Sequence, residues 1–502
     1  MKRAFASLLG LSLLILSCQL FTPPATPPTP TPELALLEVA WDDYSIFKDG
    51  LVASQQDILN KLTKASIYHL EFTIGDDLVH VIGKEEVRYT NTEDAALNEV
   101  KFRLFPNILG GEMHVGEVLV DGKPIIPNYS LNDSLLTVPL TQPLEPNQSV
   151  VLSMDFTVSV PQSVELNYGM FVYYDNVLAL AHAYPMICVY DEEGWNAEIP
   201  SPWGDITYND ASFYVVRIAA PKGVTLVTTG REVTRSEADQ NQILIVASGP
   251  ARDFYLAASP NFQVVSKKVG EVTINSYAPK EVQEGAQFAL EVTARAIKVF
   301  SARYTSYPYT ELDIVATPTL ALGIEYPGAF AIANRIYAVN SEFNGVPMSL
   351  YLESTVAHEA GHQWFYNLVG NDQLDNHWLD ESLTQFVTLQ YFTDEYGASG
   401  ADGFRNVLED RWNRVDKAVI PIGLPVASYN DMEYGAIVYG RGPLFFEALK
   451  EKMQEPEGFD SFLKDYVALH SWGIATPEEL QSLAERHCQC NLQPLFEEWV
   501  YP

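Results

Sequence analysis

The chain has 502 residues, with 31 Lys+Arg against 65 Asp+Glu and a formal net charge of −34. That balance excludes a nucleic-acid-binding or polybasic membrane-surface protein, because phosphate contacts need clustered Lys and Arg. With 47% hydrophobic and 19% charged residues the chain is globular and long enough for two large domains, and four cysteines are too few for a disulfide scaffold.

Met1-Lys2-Arg3 opens with positive charge, residues 8–16 are nearly all apolar, and Ser17-Cys18 follow. This order describes a secretory signal over residues 1–17, and the run is short of the ~20 residues that span a bilayer. Ile15-Leu16-Ser17-Cys18 resembles a bacterial lipobox, in which Cys18 becomes the lipidated first residue. The alternative is a plain secretory signal with an incidental cysteine. Residues 18–40 include a Pro/Thr-rich stretch, where proline fixes φ and donates no backbone hydrogen bond, so an extended spacer is expected. The folded body is thus expected outside the cell, tethered to a membrane at the surface or envelope through a lipid anchor, or secreted.

Residues 41–262 are expected to form an N-terminal β domain with a short leader, the stretch 33–62 having helical character. Runs at 79–89, 100–105 and 150–160 alternate or are β-branched, and Asp121-Gly122 between two such runs is a hairpin signal. Asn132-Asp133 lies between further strand-like residues. After about residue 280 the period changes. Residues 282–303, 349–368, 379–396 and 440–453 read as helices, with strand-like 312–316 and 329–339 between them. The fold class is α+β multidomain: an antiparallel β domain, then a mixed α/β domain over 263–502.

The strongest chemical signal is His358-Glu359-Ala360-Gly361-His362. On a helix, positions i and i+4 share a face, so both imidazoles can reach one metal ion with Glu359 beside it as a base. Zinc needs a third protein ligand and an open position. Glu381, with 18 residues between it and His362 and at the start of the next expected helix, is the candidate.

These residues resemble the gluzincin zinc peptidases, and more narrowly the family of aminopeptidase N and leukotriene hydrolase. The resemblance rests on HEAGHQW at 358–364, the spacing to Glu381, Trp378-Leu379-Asp380-Glu381, Leu322-Gly323-Ile324-Glu325-Tyr326 and Tyr439-Gly440-Arg441-Gly442. It covers roughly residues 60–502 and implies a thermolysin-like catalytic domain. His358, His362 and Glu381 would hold one Zn²⁺, Glu359 would act as general base, and Tyr439 would donate to the oxyanion. Glu325 would pair with the substrate's α-ammonium, and Gly323 would let the peptide backbone approach. Tyr326, Asp380 and Ser382 replace the family's usual Asn, Asn and Gly, departures expected to tune the pocket. Larger relatives add a helical C-terminal domain that this chain lacks before its end at Pro502, which implies a more open cleft.

Other polar features read as weaker. His377 suits a satisfied surface position better than one supporting the metal. Cys488 and Cys490 after His487 fall short of a zinc set, and in an exported chain one of them could join Cys188. Arg252-Asp253-Phe254 resembles the family's β-domain ending and reads as structural. The expected partners are peptide substrates, a membrane through the lipid anchor, and no nucleic acid; the oligomeric state is open. The leading function is a zinc aminopeptidase. A zinc endopeptidase with the same metal site and a non-catalytic, peptide-binding surface lipoprotein are the rivals.

Overall fold

Alternating side chains build the first half of the chain. In the computed structural model, which describes residues 39–453 and 456–502, strand His80–Thr90 turns Val81, Val87 and Tyr89 inward. Its neighbour Ser149–Ser159 turns Val150, Leu152, Met154, Phe156 and Val158 the same way. Burying each such side chain contributes about 1.5–3 kcal/mol, and a one-residue slip would expose the whole row. These strands lie in an eight-stranded sheet ordered Arg231–Ala238, Asn241–Ala251, Ser212–Pro221, Ile67–Ile74, His80–Thr90, Ser149–Ser159, Glu112–Val120 and Lys123–Ile125. Two four-stranded sheets share its core. Pairing is antiparallel except between Ile67–Ile74 and Ser212–Pro221, which run parallel. Asp121 and Gly122 take φ of +48° and +73°, the twist that a tight hairpin requires.

The second half begins with strand Phe262–Val269, the edge of a mixed five-stranded sheet. Its order continues Val272–Pro279, Glu311–Thr317, Ala329–Ala333 and Gly323–Tyr326. Helix α1 (Gln283–Arg303) lays Ala286, Ala289, Leu290, Val292, Ala296 and Phe300 into the core. Helices α2 (Met348–Gly361), α3 (Glu381–Asn413), α4 (Asp431–Ala436) and α5 (Gly442–Lys452) surround the site described below. Among the described residues no helix is long and apolar enough to cross a membrane. The signal segment, Cys18 and the Pro/Thr-rich stretch lie outside the described residues.

Several elements differ from expectation. In the leader's described residues the expected helical character takes the form of 3-10 helices, Ser45–Gly50 and Ala53–Asn60. The leader packs Phe47, Leu51, Val52 and Leu59 into the core of the second half, and Val52 N–H donates to the Pro308 carbonyl. Helix α2 stops at Gly361 rather than 368, because the chain tightens into successive turns and reverses at Tyr366, φ +115°. Helix α3 breaks at Gly397, φ +66°, where the expected helix ends, and a second helical segment continues from there to Asn413. The expected strand 329–339 ends at Ala333 and becomes a 3-10 turn, Asn334–Ile336. A wide π turn, Ile437–Arg441, precedes α5.

Arg252 joins the halves. Its buried guanidinium donates to the carbonyls of Tyr366, Asn367 and Leu368 after α2, and to those of Asn209 and Gly473. Cys488 is disulfide-bonded to Cys490, so neither joins Cys188, which is buried and free.

Candidate active site

Helix α2 carries His358, Glu359 and, as the residue capping its C-terminus, His362. Helix α3 starts at Glu381 and crosses beside α2, with Gly361 packed on Thr384 and Val387. The result is a triangle of donor atoms. His358 Nε2 lies 2.9 Å from Glu381 Oε2, the two imidazole Nε2 atoms are 3.0 Å apart, and His362 Nε2 is 3.6 Å from Glu381 Oε2. Ligands at tetrahedral zinc distances sit about 3.3 Å from one another, so the triangle fits that ion. A second observation agrees. Glu381 Oε2 is buried with no hydrogen-bond donor, a costly state for a carboxylate unless a cation meets it. The three residues are 7%, 0% and 4% exposed. Asp380 Oδ1 accepts from His362 Nδ1 at 2.7 Å, which leaves the lone pair on Nε2, facing the triangle.

Glu359 lies beside this triangle, 3% exposed, with Oε2 unpartnered. Burial, opposed by His362 and reinforced by Glu381 and Asp380, lifts its carboxyl to about 8. Gly323 begins the edge strand paired with Ala329–Ala333 and lies directly over it, where a Cβ would stand 2.2 Å from Glu359 Oε1. Two residues on, Glu325 is 7% exposed, and its nearest basic group is His362 Nδ1 at 3.9 Å. Burial, then Asp205, push its carboxyl well above the usual range. Tyr439, on the π turn, donates to Glu381 Oε1 at 2.5 Å. The Arg411 guanidinium lies 5.7 Å from the centre of its ring.

The departures acquire physical roles. Ser382 Oγ donates to the Val438 carbonyl and packs against Gly442, tying α3 to the turn that carries Tyr439. Tyr326 turns away and stacks on Tyr255 with ring centres 3.9 Å apart. Asp380 does more than tune the pocket, since it holds a histidine of the triangle. Arg441 points out of the cleft, donating to the carbonyls of Ile420, Glu498 and Trp499.

His377, expected at the surface, is 1% exposed. Its Nδ1 donates to the Gln373 carbonyl at 3.0 Å, and Nε2 accepts from the Tyr434 hydroxyl. Sequence reading missed Asp205, which comes from the β half. Its carboxylate is within 4.8 Å of those of Glu325 and Asp380 and of the His377–Glu381 pair. Neither periodicity nor a motif marks it; only the preceding Trp203-Gly204 hints at a tight turn.

An antiparallel β half, followed by a mixed half whose two-helix junction suits one metal ion, is the arrangement that the resemblance to the gluzincin peptidases leads one to expect. Comparison with known proteins narrows the class. Residues 288–499 match the Peptidase family M1 domain. The chain is similar to "Aminopeptidase 2" of Candida albicans, 22% identical over 290 residues, covering 55% of this chain and 31% of the relative. "Aminopeptidase N" of Lactobacillus delbrueckii subsp. lactis is 22% identical over 241 residues, covering 46% of this chain and 28% of the relative. The chain therefore spans about a third of the length of these curated relatives. Its fold is that of the M1 zinc metallopeptidase from Deinococcus radiodurans: TM-score 0.64, 16% identity, covering 88% of this chain and 94% of the other.

Proposed function

We propose that the protein is a zinc-dependent aminopeptidase that removes N-terminal residues from peptides. His358, His362 and Glu381 would hold the ion. When bound, zinc supplies Lewis-acid polarisation of the scissile carbonyl and lowers the pKa of water. The chain's own groups do the rest. Glu359, buried beside the triangle with one carboxylate oxygen unpartnered, takes a proton from the attacking water and returns it to the leaving amine. The Tyr439 hydroxyl donates to the developing oxyanion, a contact worth about 10²–10³ in rate. Gly323 keeps the strand edge clear for the substrate backbone.

The observation that carries the exopeptidase reading is Glu325: a buried carboxylate beside the triad, with no basic group nearer than 3.9 Å. A free α-ammonium meets that demand, whereas an internal peptide bond brings no charge. A variant of the Deinococcus enzyme was solved with a Tyr-Ser-Ala substrate, a peptide class consistent with this reading. For location, residues 15–18 and the Pro/Thr-rich stretch support export with a lipid on Cys18.

The test compares aminoacyl fluorogenic amides with N-acetylated counterparts, with and without a zinc chelator, for wild-type protein and Glu325→Ala. Chelator-sensitive cleavage that needs a free amine and collapses in Glu325→Ala is expected. Equal cleavage of blocked peptides would instead favour the endopeptidase. No cleavage by zinc-loaded protein would favour the peptide-binding lipoprotein.

A further inference from the structure

A chain of buried hydrogen bonds runs from the β half to the metal triangle. It begins on residues 203–207, a segment the β half sends beneath the site. Trp203 Nε1 there donates to the Val426 carbonyl, and Gly204, at φ +81°, lies against the Tyr434 ring. Thr207 Oγ1 then donates to Gln373 Oε1 at 2.8 Å, Gln373 Nε2 donates to Asp380 Oδ2 at 2.5 Å, and Asp380 Oδ1 accepts from His362 Nδ1 at 2.7 Å. Thr207, Gln373, Asp380 and His362 are 5%, 1%, 0% and 0% exposed.

The polarity of this chain is set at each link. A carboxylate only accepts, so Gln373 must present its amide nitrogen to Asp380. That turns its oxygen toward Thr207, whose hydroxyl then donates. Asp380 in turn requires the proton of His362 to sit on Nδ1, which commits Nε2 as a donor atom and makes the imidazole a stronger base. We infer that Thr207, Gln373 and Asp380 are positioning residues for His362, so that the β half helps to set how tightly the metal is held. The inference rests on the zinc triad proposed above and not on aminopeptidase activity.

The test measures zinc affinity by competition with a chromogenic chelator, together with the melting temperature of each zinc-free protein. Asp380→Asn keeps the shape and removes the charge; it should weaken zinc binding about tenfold, and Asp380→Ala up to about 100-fold. Gln373→Met and Thr207→Val should weaken binding in the same direction by smaller factors, and the double variant should be no worse than Gln373→Met alone. Thr207→Ser retains the hydroxyl and should match wild type, which a mere packing role would not predict. Zinc affinity within about twofold of wild type in Asp380→Asn and Gln373→Met would overturn the inference. Equal losses in Thr207→Val and Thr207→Ser would overturn it too. A wild-type protein that binds no zinc would overturn both this inference and the metal site, whereas a zinc-binding protein without peptidase activity would overturn only the proposed function.

Discussion

Adding one methyl group at Gly323 should disable catalysis while sparing the fold. The Cβ of Gly323→Ala would lie 2.2 Å from Glu359 Oε1, 2.5 Å from Cδ and 2.6 Å from Cγ, where ordinary contact begins at 3.4 Å. The Glu359 carboxylate must therefore retreat by about 1 Å, and at 3% exposure it has little free space to enter. All three clashing atoms belong to the end of a flexible side chain, so the stability cost should be modest, about 1–2 kcal/mol. The functional cost is larger: a misplacement of about 1 Å loses roughly 10²-fold in rate, or about 2.7 kcal/mol of barrier. The assay is kcat/KM on an aminoacyl fluorogenic amide, with zinc content and melting temperature measured on the same preparation. We expect a loss of about 100-fold with zinc stoichiometry unchanged. Activity within about threefold of wild type, with Glu359→Gln inactive, would refute the placement of Gly323 over the base.

Arg252→Met should destabilise the protein by about 3–5 kcal/mol, because five carbonyls lose a buried cationic donor; a thermal melt shifted by less than about 2 °C would contradict this. His69, stacked on Trp41 with ring centres 4.1 Å apart, is pushed down to about 4 by burial and then by Arg88. Above pH about 6.5 it is neutral folded or unfolded, and its stabilising contribution is full. Between about 6.5 and 4 only the unfolded chain binds the proton, so stability should fall with pH by about 3 kcal/mol. His69→Phe keeps an aromatic ring against Trp41 and should show a shallower fall in melting temperature over that range; an unchanged slope would rule out His69 as its source.

The metal triangle was legible because helical geometry ties spacing to position. Residues i and i+4 must share a face, and an 18-residue interval suits two crossing helices. Strand rows such as Val150 to Val158 were legible for the same reason, period two being visible in one segment. What could not be read was set by partners distant in the chain. Asp380 stood out only as a departure from the family pattern, and its role appears once His362 Nδ1 is seen to face it. Thr207 lies 166 residues from Gln373, and Asp205 approaches Glu325 from another half of the molecule. The early end of α2 at Gly361 was hidden because 362–368 remain apolar enough to continue a helical pattern, while the Arg252 donors that satisfy the freed carbonyls come from the β half. His377 looks exposed in a polar local sequence but is covered by Tyr434.

The seam between the halves bears on how such a protein can change over time. The stretch matching the family domain, 288–499, leaves out strands Phe262–Val269 and Val272–Pro279 of the catalytic sheet, together with Arg252 and Thr207. A recombination event that exchanged this stretch between relatives would import a metal-holding helix pair without the arginine that seats the turn after it or the threonine that reaches its histidine. The two halves are therefore expected to be inherited together, with variation at 203–207 and 252 answered by variation at 366–380.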